Sequence, residues 1–476
     1  MKKGEFSVSS NSGHRQQKIL QGSSRQWKAV NTLCIAEAPS SQMAQTHKQT
    51  CEEEENCLME QVVSRQNMLS ALKRVQQNKG SAGEDGMTVE ELPLYLKEHW
   101  LEIRQSLLSG SYKPKPIRRV EIPKPDGGIR QLGIPVVLDR LIQQAILQVL
   151  TPIFDPQFSE SSYGFRPKRN AHQAVKKAKE YIQAGNIYVV DIDIEKFFDR
   201  VNHDILMSMV AREVRDKRVL RLIGKYLRSG VMVNGVCHAT EEGTPQGGNL
   251  SPLLANILLD ELDKELEKRG HKFVRYADDC NIYVASRRSG LRVMSSVKAF
   301  VERKLKLKIN ESKSAVDHPS KRKFLGFSFT SRKETKIRMA KPIVIRFANK
   351  IKALTNRSKG WSIENRIKSL NQYLRGWIGY FRIAETPSVF HRMDEWVRRR
   401  LRMCLLKQWK LPRTKTKRLT ALGIPAKWAG RISNSRKGIW HLAESPQMHK
   451  ALNLAYWQEV GLISLVKTHH ILCQSS

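Results

Sequence analysis

Between residues 57 and 75 the apolar positions Leu58, Val62, Val63, Leu69, Leu72 and Val75 recur at helical spacing, which predicts a helix from Cys57 to Val75. Gly80, Gly83, Asp85 and Gly86 then make a loop. A second helix is predicted over Val89 to Leu108. The Lys113-Pro-Lys-Pro116 stretch ends it, because a residue before proline is driven to an extended backbone. Residues Ile117 to Ile134 alternate in short pieces around Pro123-Lys-Pro-Asp-Gly-Gly128, a hairpin pattern with basic residues on its arms and tip. Helix returns at Val136 to Leu150. Farther on, Ile187 to Ile194 reads as a strand, and so do the two arms flanking Asp278 and Asp279. Helical patterns occupy Asp204 to Leu227, Leu253 to Arg269 and Leu291 to Leu305. Strands interrupted by helices, with acidic residues at strand ends, predict an α+β core with a sheet layered against helices.

Composition changes the picture at both ends. Residues 1–56 are rich in Ser, Gln and Asn, show no sustained apolar period and end in the acidic run Glu52 to Glu55, which predicts a disordered extension. From Ser331 to Arg418 there are 25 Lys plus Arg against five acids, with Trp361, Trp377, Trp396 and Trp409 spread through a helical pattern. That marks a separate basic, helical region.

The whole chain of 476 residues carries 83 Lys plus Arg against 45 Asp plus Glu, a formal charge of +38. Such an excess points to a polyanionic partner, since each cation placed on a phosphate releases counterions. The 40% hydrophobic content is a globular value and sets the chain apart from a purely basic packaging protein. Its seven cysteines are scattered and never paired as C-x-x-C, so neither a disulfide framework nor a zinc site is predicted. No apolar run approaches the roughly 20 residues of a membrane span, and no membrane partner is expected.

The sharpest chemistry lies in Phe273-Val-Arg-Tyr-Ala-Asp-Asp-Cys-Asn-Ile-Tyr-Val284, where apolar, β-rich arms flank adjacent carboxylates at a tight turn. Two neighbouring aspartates repel, so a cation is needed to offset them. Asp193 closes a second apolar strand, Tyr188-Val-Val-Asp-Ile-Asp-Ile194, and is followed by Phe197 and Phe198. Carboxylates from separate strands can hold two metals about 4 Å apart, as nucleotidyl transfer requires. Asp191 lies on the same strand face as Asp193 and is its rival.

The segment Asp193 to Asp199, then Thr244-Pro-Gln-Gly-Gly-Asn-Leu-Ser-Pro252, then Tyr276-Ala-Asp-Asp279, resembles the ordered motifs of reverse transcriptases. Arg130-Gln-Leu-Gly-Ile-Pro135, Tyr163-Gly-Phe-Arg-Pro167, Leu307-Lys-Ile-Asn-Glu-Ser-Lys313 and Phe324-Leu-Gly-Phe-Ser328 extend the likeness. Within that superfamily the chain is most similar, from about residue 58 to its end, to proteins encoded by bacterial group II introns, in the form without a zinc endonuclease domain.

The resemblance implies a right-hand polymerase. Residues 57–185 would supply N-terminal helices and fingers, 186–330 the palm, 331–411 a helical thumb or maturase domain, and 412–476 a small basic DNA-binding region. It implies that Asp193, Asp278 and Asp279 are catalytic and that, with Ile194, they hold two Mg2+ ions, with Mn2+ as a substitute. The family places an aromatic residue five positions after the metal-binding aspartate, and Phe198 stands there relative to Asp193. Phe198 would exclude a ribose 2′-hydroxyl. Lys124, Arg130, Gln246 and Lys313 would attend the nucleotide, and Phe324, Leu325 and Gly326 the primer end. Arg118, Arg119, Arg398, Arg399, Arg400 and Arg402 would face nucleic acid. The implied activity is RNA-directed DNA synthesis, joined to maturase action in splicing and mobility. The implied partners are group II intron RNA, an RNA template with DNA or RNA primer, target DNA and deoxynucleoside triphosphates. The implied setting is a ribonucleoprotein in bacterial cytoplasm.

Overall fold

The computed structural model describes residues 57–123, 128–233, 236–238, 242–244, 247–331 and 334–474. The expectations for residues 1–56, Lys124 and Gln246 lie outside them. Two compact units divide between Ile343 and Val344.

In the first unit the apolar period of residues 58–75 is delivered by two helices, α1 (Leu58–Val62) and α2 (Arg65–Asn78), where one was predicted. Ser64 breaks the run: its side chain accepts the Asn67 N–H and so starts a new helix. Next come α3 (Leu92–Leu108), the hairpin β1 (Ile117–Pro123) and β2 (Ile129–Ile134), and α4 (Val137–Phe154). α5 (Ala171–Gln183) precedes β3 (Tyr188–Ile192). The single helix expected from Asp204 to Leu227 is likewise two, α6 (His203–Glu213) and α7 (Lys217–Leu227). Asp216 caps the second by accepting the Arg218 N–H at 2.9 Å. Then follow β4 (Val231–Val233), β5 (Val236–His238), α8 (Ser251–Lys268), β6 (Lys272–Tyr276), β7 (Asp279–Val284), α9 (Arg287–Lys304), β8 (Ala315–Asp317), β9 (Phe327–Phe329) and β10 (Ile337–Met339).

One four-stranded sheet runs β2-β1-β4-β5 and a second runs β6-β7-β3-β8. In the second sheet every neighbour is antiparallel. β3 is central and turns Val190 and Ile192 into the core. Gly290 lets α9 sit close on this sheet, since a Cβ there would come within 2.5 Å of a Val316 methyl. The α+β architecture is therefore as the periodicities imply.

α4 is the buried spine beside the β1–β2 hairpin. Its Asp139, 1% exposed, accepts the Tyr112 hydroxyl at 2.8 Å, the Tyr226 hydroxyl at 3.1 Å and the Lys115 N–H at 3.0 Å. Burial outweighs these donors and pushes the carboxyl from 3.8 up to about 6. Folding thus takes up a proton in that window, so this group's contribution to stability falls as the pH rises through it. We expect wild-type stability relative to Asp139→Asn, from urea unfolding, to be lower at about pH 7 than at about pH 4.5. An equal difference at both would show that Asp139 titrates normally.

The second unit is helical: α10 (Lys341–Leu354), α11 (Ile363–Phe381) and α12 (Pro387–Gln408) are followed by α13 (Pro412–Ala421), α14 (Ala426–Ser433), α15 (Ile439–Leu442), α16 (Pro446–Ala451), α17 (Leu454–Glu459) and α18 (Leu465–Gln474). Trp377 centres its core, with ring centroids 4.6 Å from Phe347, 4.8 Å from Phe381 and 6.1 Å from Phe390. The Asp394 carboxylate accepts the N–H groups of Leu465 and Val466 and so fixes the start of α18. Among the described residues no helix is long and apolar enough to cross a membrane.

Candidate active site

The second sheet brings the acids together by register. β3 and β7 pair with Asp191 opposite Asn281 and Ile192 opposite Cys280. One residue farther along each strand lie Asp193 and Asp279, at the same end of the sheet. β6 and β7 pair through Tyr276 and Asp279, leaving Ala277 and Asp278 as a two-residue turn. Such turns need positive φ, and Ala277 adopts 57° although it has a Cβ. Gly164 buttresses this turn from behind: a Cβ there would stand 2.3 Å from the Ala277 nitrogen and 2.9 Å from the Tyr276 carbonyl carbon.

Electrostatics tie the cluster together. Asp279 is open to solvent yet crowded by protein, and burial followed by the charges of Asp278, Asp191 and Asp193 pushes its carboxyl up to about 7. Lys323 opposes them weakly.

Asp191 is differently placed from Asp193. Its Oδ2 accepts Nε of Arg322 at 2.8 Å and Nη2 at 2.6 Å. The Asn281 amide, turned to suit its neighbours, donates to Oδ1 at 2.9 Å. Both oxygens are thus engaged. Burial raises the Asp191 carboxyl while Arg322 draws it down. Among the described residues no hydrogen bond reaches the Asp193 carboxylate. Its backbone is held instead: the Asp193 N–H donates to Ser314 Oγ at 3.0 Å, and its carbonyl accepts the Asn310 N–H at 2.8 Å. The Glu195 N–H donates to the Lys308 carbonyl at 2.8 Å, and Ile194 bridges Ile309. The stretch Leu307 to Lys313 therefore acts as a brace behind Asp193, and Lys313 itself is exposed on it.

Crowded, hard oxygen donors with little opposing positive charge suit a divalent cation. Asp193, Asp278 and Asp279 are the carboxylates gathered at this sheet end that suit such an ion, whereas Asp191 is committed to Arg322. Among the described residues no three acidic, imidazole or thiol side chains are yet gathered as closely as ligation demands.

Phe198, half-buried, meets Phe197 edge-on at 5.1 Å, and its carbonyl accepts the Thr244 N–H at 2.6 Å. Gly243 (φ 95°) permits that approach, since a Cβ would lie 2.9 Å from the Phe198 carbonyl oxygen. Arg130 sits on β2 opposite Ile122, and Arg118 and Arg119 are half-buried on β1. Gly247 backs onto β2, where a Cβ would meet the Gly133 carbonyl at 2.4 Å. Phe324 and Phe327 exchange backbone hydrogen bonds at 2.9 Å across Leu325 (φ 51°) and Gly326 (φ 85°), a tight turn with Phe324 buried.

One arginine of α12 needs correction. Arg402 is 3% exposed, its Nε donates to the Ala443 carbonyl at 2.7 Å, and it cannot face nucleic acid. Arg399 pairs with Glu444 at 2.7 Å and stacks on Trp440 at 4.1 Å, and Arg400 donates to Thr355 Oγ1 at 2.9 Å. These three tie helices together, which leaves Arg398 as the member of the run least committed to internal bonds.

Sequence reasoning missed Gly164, Arg275, Asn256, Asp263 and Arg322. Arg275 had a signal: a cation inside an otherwise apolar strand.

A strained carboxylate turn beside a strand-end aspartate, on an antiparallel sheet backed by helices, defines a polymerase palm. Residues 122–329 match the family described as reverse transcriptase (RNA-dependent DNA polymerase), and residues 344–423 match the group II intron maturase-specific domain. Protein YkfC of Escherichia coli (strain K12) is 33% identical over 274 residues, covering 50% of this chain and 72% of that one. The group II intron-encoded protein LtrA of Lactococcus lactis subsp. cremoris is 31% identical over 345 residues, covering 59% of this chain and 57% of that one. A putative COX1/OXI3 intron 2 protein of Saccharomyces cerevisiae is 34% identical over 206 residues, covering 42% and 24%. The chain belongs to the group II intron-encoded reverse transcriptase and maturase family. It carries an RNA-directed DNA polymerase domain followed by a maturase domain; the family works with divalent metal ions and RNA partners.

Proposed function

We propose that this chain copies RNA into DNA by two-metal nucleotidyl transfer and, as a maturase, binds its intron RNA to assist splicing and mobility. The observation that carries the reading is the β3–β7 register, which directs Asp193 and Asp279 to one sheet end beside the Ala277–Asp278 turn. Asp193, Asp278 and Asp279 would hold two Mg2+ ions, with Mn2+ as a substitute and Ile194 contributing beside Asp193. Bound Mg2+ supplies activation of the primer 3′-hydroxyl and stabilisation of the leaving pyrophosphate. Lys124 and Arg130 fold over the triphosphate, Gln246 lines the base pair, and Lys313 offers a proton near the leaving group. The Phe324–Gly326 turn steadies the primer end, and Arg118 and Arg119 meet nucleic acid. Residues 57–185 serve as N-terminal helices and fingers, 186–330 as palm and 331–411 as thumb, with Arg398 on nucleic acid. Residues 412–476 take target DNA. The working form is a ribonucleoprotein with intron RNA in bacterial cytoplasm.

Primer extension on an RNA template tests this: product is expected with deoxynucleotides and Mg2+, and none with ribonucleotides or chelator. A chain that only binds RNA would leave the primer unextended in every arm. Phe198 in particular is expected to bar the 2′-hydroxyl. Phe198→Ala should raise ribonucleotide incorporation relative to deoxynucleotide by about tenfold or more, the range a lost steric clash allows. Unchanged discrimination would assign the ring to the core.

A further inference from the structure

Arg275 is a cation buried to 0% exposure one residue before the end of the strand that leads to the carboxylate turn. Burying an ion pair costs several kcal/mol per ion before attraction repays it, and an apolar residue would serve the strand as well. Its surroundings give it a task. Nε donates to both oxygens of Asp263, at 2.8 and 2.9 Å, and Nη2 donates to Oδ2 at 2.5 Å. Asp263, itself 0% exposed, thereby fixes the plane of the guanidinium. Nη1 then points toward the turn and donates to Asn256 Oδ1 at 3.0 Å and to the Ala277 carbonyl at 3.1 Å. Ala277 is the residue with the unfavourable positive φ. Asn256 reaches the other support of the turn, its Nδ2 donating to the Gly164 carbonyl at 2.9 Å. The backbone agrees: the Tyr163 N–H donates to the Arg275 carbonyl and the Arg275 N–H to the Ser161 carbonyl, both at 2.9 Å.

We propose that Arg275 is a positioning residue: held by Asp263 and Asn256 of α8, it grips the Ala277 carbonyl and sets the pose in which Asp278 and Asp279 are presented. The inference rests on the polymerase reading above. It assigns α8 a second task besides packing, because both the carbonyl grip and the Gly164 buttress lead back to it.

A plain structural ion pair makes a different prediction, and a variant that removes both charges separates the two. In full-length Arg275→Met/Asp263→Leu, apolar replacements fill the buried site without leaving a lone charge. We expect melting temperature and template-primer affinity close to wild type. We further expect kcat to fall about 100-fold with KM for deoxynucleotide changed less than about threefold, the signature of misplaced reacting groups. Calorimetric Mn2+ affinity should weaken several-fold. Recovery of kcat together with melting temperature would overturn the proposal, while the polymerase reading would stand. Asn256→Ala, which keeps the ion pair and cuts the link to Gly164, covers the case of a misfolded double variant. It should lose about tenfold in kcat at near wild-type melting temperature, and wild-type kcat would overturn the proposal.

Discussion

Asp193→Asn is expected to lower the rate of primer extension by about a thousandfold or more, whereas Asp191→Asn should cost about tenfold or less. The first change removes a carboxylate from the proposed metal set, and with it several kcal/mol of transition-state stabilisation at 1.36 kcal/mol per factor of ten. The second removes an anion whose two oxygens are already taken by Arg322 and Asn281. Its loss loosens the loop through Arg322, which also donates to the Lys313 carbonyl, without removing a metal ligand. Single-turnover extension on a pre-bound RNA template-primer is the measurement. A dead Asp191→Asn beside a normal Asp193→Asn would move the role to Asp191.

Gly164→Ala should also be strongly damaging, with no charge altered. The added methyl would stand 2.3 Å from the Ala277 nitrogen, a backbone atom that cannot turn aside as a side-chain tip can. Displacing the turn by about 1 Å is enough to cost on the order of 100-fold in kcat. Gly360→Ala, where a Cβ meets nothing within 4 Å, is the control and should retain wild-type kcat. If Gly164→Ala also matches wild type in kcat, the Ala277–Asp278 turn tolerates displacement and the carboxylate pose is less demanding than its geometry implies.

What the sequence discloses about such a site depends on how local the information is. The β6–β7 hairpin was legible because apolar arms on both sides of Asp278 and Asp279 carry their own period. The α+β class and the helical basic end were legible for the same reason. The partner of Asp191 was not, since Arg322 lies 131 residues away and no period links them. The burial of Arg402 was equally hidden. Around it Leu401, Met403, Cys404, Leu405 and Leu406 are all buried, so this turn of α12 is enclosed on every side and has no solvent face for a cation. The breaks at Ser64 and Asp216 show a smaller limit. An apolar period runs on across a capped junction, and only the capping side chain marks the end of one helix and the start of another.

The strand order β6-β7-β3-β8 sets a timetable for synthesis. β3 ends at Ile192, but its outer neighbour β8 ends at Asp317, and the Ser314 and Asn310 contacts to Asp193 come from the same late stretch. A ribosome adding about 5–20 residues per second needs on the order of ten seconds to pass from one to the other. Through that interval the nascent chain carries its strand-end aspartate without the brace that will hold it. Polymerase competence should therefore arise as a late, single step in translation, well after the first carboxylate has emerged.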